Sequence, residues 1–146
     1  MTITDMTARP SGRRWAVALG LLGAVWYGFG LVQMGLGVTL DTKAAVAAGA
    51  MTAEHAAAVN GTPALIWLAF ALASGAGLAG AVLLVLGKPA NGVFCTSLSA
   101  AAVYYLWVYG LSGTGAARPV EEAIIGSVVV TVTLGFTVFA RRLRKG

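Results

Sequence analysis

Few side chains in this sequence are equipped for chemistry, and their spacing limits what they can do. One His (His55) and one Cys (Cys95) are present, so no internal disulfide can form and no metal site of ordinary ligand count can be built from them. A membrane-embedded hydrolase needs a nucleophile with a base in reach, and no such pair can be assembled from these residues. The expectation is a protein that is not an enzyme, with no catalytic residue, no metal ligand and no cofactor. His55 has no Cys or second His near it in the sequence, which predicts a solvated or helix-capping side chain. Glu121 and Glu122 follow Arg118 where acids would complement the positive end of a helix.

The aromatic residues say more. Trp26 and Tyr27, together with Tyr104, Tyr105, Tyr109 and Gln33, form a candidate outward-opening pocket for a flat or amphipathic ligand such as a quinone, a carotenoid or a lipid. The competing use of the same rings is to fill a helical core against glycine. Other polar groups on the apolar stretches are mild: Ser74, Thr96, Ser97, Ser99, Ser127, Thr131, Thr133 and Thr137. These are expected to bond backbone carbonyls or neighbouring helices, at about 1 kcal/mol each.

The elements that must position these residues are membrane helices. Of 146 residues, 58% are apolar and 10% charged, and the mean hydropathy is +0.83, which excludes an ordinary soluble globule. Charge-free runs at 15–38, 64–87, 93–111 and 123–140 are each long enough to cross a hydrocarbon core. The first, at about 1.5 Å per residue, reaches roughly 36 Å. The fourth is rich in Val, Ile and Thr, yet in lipid it must be helical, because an open strand would leave backbone groups unpaired. Pro63 opens the second run, and Lys88-Pro89-Ala90-Asn91-Gly92 forces a tight hairpin before the third. The expected fold is all-α: a transmembrane four-helix bundle at 15–140, between an N-terminal tail at 1–14 and a basic tail at 141–146. The first dozen residues are expected to be loose. Thr52 followed by Glu54 and an Ala-rich stretch to Asn60-Gly61 predicts a short capped helix in the first outer loop.

Charge placement sets an orientation. Arg9, Arg13, Arg14, Lys88, Arg141, Arg142, Arg144 and Lys145 fall on one side, and only Lys43 and Arg118 on the other. Lys and Arg are retained on the cytoplasmic side, so both termini are expected there, in a bacterial inner membrane. A rival reading takes Arg13, Arg14 and the first apolar run as a cleaved signal peptide with a faint twin-arginine character. The run is longer than the roughly 7 to 15 residues of such a signal core, which favours a retained anchor. Trp15, Trp67, Trp107 and Tyr109 lie near run ends, as interface rings do.

Small residues recur at fixed intervals. Ala16, Gly23, Gly30 and Gly37 repeat every seven positions, Gly28 and Gly35 form a second pair, and Ala73, Gly77 and Ala81, with Ala76 and Gly80, mark the second helix. Such seams let backbones approach closely, either within the bundle or against a partner subunit.

Trp26-Tyr27-Gly28-Phe29-Gly30, Met51-Thr52-Ala53-Glu54 and the Gly77-Leu78-Ala79-Gly80 packing motif resemble those of a family of small four-helix bacterial membrane proteins, some of them labelled sugar transporters. The chain departs from that pattern at Tyr27, where Asn is usual, and at Leu31-Val32. The resemblance implies four membrane helices and carries no site residue.

Together these features favour a non-enzymatic accessory or structural subunit of a larger membrane assembly. The alternative is a small transporter or lipophilic-ligand carrier acting as an oligomer. Expected partners are membrane lipids and a protein partner or second copy, and not nucleic acid.

Overall fold

The structure is a computed structural model that describes residues 10–145. It is 85% helical, with no strand among the described residues. The elements are α1 (Pro10–Thr39), α2 (Thr42–Ala47), α3 (Ala53–Asn60), α4 (Ala64–Val85), α5 (Asn91–Leu106, continued by a π-helical turn Trp107–Leu111), a single 3₁₀ turn (Gly115–Ala117) and α6 (Val120–Lys145). Four helices among the described residues are long and apolar enough to cross a membrane. The chain is an integral, multi-pass membrane protein.

The local signals work as the residue types dictate. Thr52 caps α3 by accepting from the His55 backbone N–H at 3.1 Å, and Asp41 caps α2 through the Ala44 N–H at 3.0 Å. At the end of α4 the chain reverses through Gly87, at φ +69°. There the Lys88 N–H reaches the Leu83 carbonyl at 2.8 Å and the Gly87 N–H reaches Leu84 at 3.1 Å. This double closure needs a left-handed residue that glycine adopts without strain.

Three expectations change. α2 is an additional short helix, which the Asp41 cap makes possible. α6 starts at Val120 and continues through Lys145, because Arg and Lys are good helix formers and mark the membrane edge rather than the helix end. The basic tail is therefore helical through Lys145. α1 likewise begins at Pro10, inside the stretch expected to be loose; the rest of that expectation falls on residues 1–9, outside the described residues.

α1 packs on α4, α4 on α5, and α5 on α6. In the half of the bundle nearest the termini, Tyr27, Leu84, Ala90, Phe94, Phe136 and Ala140 form the core. Phe94 and Phe136 stack there with centroids 5.2 Å apart, and the Ser97 hydroxyl ties α5 to α4 through the Ala73 carbonyl at 2.6 Å. Glycines create the room. A Cβ at Gly23 would lie 3.0 Å from the Phe136 ring, one at Gly80 equally close to Phe94, and one at Gly77 would fall inside the ring of Tyr27. Gly30 faces Ser74 and Gly37 faces Trp67, so the seven-residue seam of α1 lies along α4.

Gly28 and Gly35 do not share that seam, since a Cβ at either meets nothing within 4 Å. Each is five residues beyond a seam glycine, and at about 100° per residue this turns it roughly 140° away. They are not packing glycines within the bundle.

Candidate ligand-binding site

The half of the bundle farther from the termini encloses a cavity of about 380 Å³, within the range of small-molecule sites. Its floor is the Tyr27 side chain, whose hydroxyl donates to Thr133 Oγ1 at 2.9 Å. Trp26, Tyr27, Gln33, Tyr104, Tyr105 and Tyr109, the pocket candidates from the sequence, all line this one cavity, joined by Trp67 and Phe70. The rings support one another. Phe70 and Tyr104 have centroids 4.9 Å apart, Tyr104 meets Tyr105 edge-on at 5.1 Å, and Tyr105 stacks on Tyr109 at 6.2 Å. Tyr109 belongs to the π-helical turn, where the Ser112 N–H bonds the Trp107 carbonyl at 2.8 Å. Such turns recur at functional sites because the extra residue re-aims its neighbours. Gly126, which sequence spacing does not single out, lies directly beneath the Tyr105 ring and lets that ring lie flat on α6.

A polar cluster closes the far end. The Arg118 side chain is only 4% exposed although it precedes α6. Its Nη1 donates to Glu122 Oε2 at 3.2 Å, and its Nη2 donates to Thr62 Oγ1 at 3.1 Å and the Ala58 carbonyl at 3.5 Å. The cation thus sits at the C-terminal end of α3, where unpaired carbonyls and the helix dipole favour it. His55 Nε2 lies 3.0 Å from Glu122 Oε1, with the His side chain 12% exposed, but the ring nitrogen lacks the alignment of a hydrogen bond. His55 is therefore not a solvated side chain: α3 folds down over the bundle mouth and places it against α6. Glu121, by contrast, is exposed in the first turn of α6, as the sequence led one to expect.

α2 and α3 are clasped to each other through Thr42 and Asn60, whose amide nitrogen donates to Thr42 Oγ1 at 2.9 Å. Met51, His55 and Val59 form the roof of the cavity. One side wall is thin. The side-chain contacts between α1 and α6, Tyr27 with Thr133 and Phe136 and Gly23 with Phe136, lie at or below the floor. Above it the wall is lined by Phe29, 59% exposed, and Ile125, 57% exposed. Lining residues thus reach the exposed surface on this side, where a bilayer would lie.

This arrangement can hold a molecule with an apolar body and a polar end. Comparison with protein families, with curated proteins and with solved structures finds no match to the chain.

Proposed function

We propose that this protein is a non-enzymatic binding protein or carrier for a lipophilic ligand that enters its aromatic cavity from the membrane. One observation carries the reading: a cavity of about 380 Å³, walled by Trp, Tyr and Phe, with a polar cluster at one end and the exposed Phe29 of α1 and Ile125 of α6 on its lining. A bundle that used these rings only as filler would close around them, as the other half does around Phe94. Burying such a ligand gains roughly 25 cal/mol for each Å² of apolar surface removed from water. In a bilayer that gain is already made, so selectivity rests on shape and on the polar end.

The charge distribution supports a bacterial inner-membrane setting with both termini cytoplasmic and the α3 end on the opposite face. The test is extraction of protein purified in mild detergent, followed by mass spectrometry of the organic phase. A single quinone, pigment or lipid species near one per chain supports the reading. Bulk lipid in the proportions of the host membrane counts against it.

A second reading, as an accessory subunit or homo-oligomer, is favoured by Gly28 and Gly35, which present a smooth outer face on α1. Crosslinking from a Cys at position 28, in a background lacking Cys95, tests it. Capture of a neighbour at defined stoichiometry supports docking, and labelling by lipid-soluble probe alone opposes it.

A further inference from the structure

Resting on the carrier reading, we infer that the cavity selects a neutral, planar ring bearing a carbonyl oxygen, the quinone class, with that oxygen directed at Arg118 and the ring held against the aromatic wall. The charges of the cluster exclude the other ligand types. Glu122 is paired with Arg118 through Oε2 at 3.2 Å, and His55 Nε2 stands 3.0 Å from Oε1 without the alignment of a hydrogen bond. A cationic ligand would have to compete with Arg118 for that carboxylate. An anionic ligand would approach Arg118 beside the same carboxylate, and like charges at such range repel strongly where water is scarce. The Arg–Glu pair is internally neutral, and what it leaves over is a donor. Arg118 Nε is buried without a hydrogen-bond partner among the described residues, on a side chain 4% exposed that lines the cavity. A buried donor without an acceptor costs about 1–3 kcal/mol, and a ligand carbonyl supplies the acceptor.

Shape narrows the class further. Tyr104, Tyr105 and Tyr109 line the cavity together with Trp26, Trp67 and Phe70, so its wall is built of aromatic rings against which a flat guest can pack. Gln33 and Ser74, also on the cavity wall, can meet a second oxygen of the ring. A substituent tail has an exit between Phe29 and Ile125, which leads from the cavity to the exposed surface. A hydrocarbon carotenoid, lacking a carbonyl, leaves Arg118 Nε unmatched.

The test compares ligands on the intact protein in nanodiscs. The probes are 2-methyl-1,4-naphthoquinone, 2-methylnaphthalene, 2-naphthoate and tetraphenylphosphonium, read by isothermal titration calorimetry and corrected for partitioning into empty discs. The quinone is expected to bind about tenfold or more tightly than the hydrocarbon of the same shape, and Ile125→Trp, which fills the opening, is expected to weaken both. Equal affinity for quinone and hydrocarbon overturns the inference and leaves the carrier reading standing. Tightest binding of the cation or the anion overturns the neutral class. Saturable binding of no probe overturns inference and carrier reading together.

Discussion

The Tyr27 hydroxyl donates to Thr133 Oγ1 at 2.9 Å, joining α1 to α6 at mid-bundle. Toward the termini from this pair the bundle is filled by Phe94, Phe136 and Leu84. Away from them it is open and aromatic. The two residues therefore make the boundary between a part that holds the fold and a part free to hold something else.

Tyr27→Phe removes one interhelical hydrogen bond while leaving the ring in place. Thr133 keeps its own bond to the Val129 carbonyl at 2.8 Å, so no buried hydroxyl is stranded. Unfolding in mixed micelles is expected to show a loss of about 0.5–1 kcal/mol. Tyr27→Ala also removes the ring and is expected to cost about 3–5 kcal/mol.

Gly77→Ala and Gly28→Ala make a matched pair. At Gly77 the new methyl group would occupy the Tyr27 ring position, whereas at Gly28 it meets nothing. The first is expected to destabilise by about 1–3 kcal/mol through overpacking, and the second to be neutral or slightly stabilising, since Ala is the better helix former. Thermal melts of the two variants check this directly.

The contrast between these glycines shows where sequence reading succeeds and where it stops. Gly23, Gly30 and Gly37 are recognisable because a seven-residue repeat keeps one face toward one neighbour. Gly28 and Gly35 share that interval, but an interval does not say whether a neighbour exists on their face. The four spanning helices are legible because charge-free runs of that length admit few alternatives. Trp26 and Tyr27 attract notice as large rings at mid-helix, away from the interfaces where such rings collect. The contact of His55 with Glu122 is not legible, since it depends on the path of the loop and on α3 lying over the bundle. A buried Arg118 is equally hidden, because a basic residue before a helix of acidic first turn reads as solvated until its partners Thr62 and Ala58 are placed around it.

Arg118→Met removes the bonds that hold α3 to the mouth of the bundle and leaves Glu122 paired only with His55. Amide exchange in Ala53–Asn60 is expected to rise by about ten- to a hundredfold, corresponding to the loss of roughly 1–3 kcal/mol of local closure. Amides near Phe94 are expected to keep their protection. Equal acceleration everywhere would mean that Arg118 supports the whole bundle rather than its roof.

In a Cys95→Ser background, a membrane-impermeant maleimide is expected to label Glu54→Cys in intact cells and to reach Lys88→Cys only after the membrane is opened. The reverse pattern would place the α3 end in the cytoplasm, against the distribution of Lys and Arg.

Native mass spectrometry of the wild-type chain beside Ile125→Trp tests the central claim most directly. Ile125 lines the cavity and is exposed, so a larger ring there blocks the opening without entering the packed half. The expected result is a lipophilic species bound one to one on the wild-type chain and lost from the variant at unchanged thermal stability. Identical spectra, with neither chain retaining a bound species or with both retaining it equally, would contradict a ligand site in this cavity.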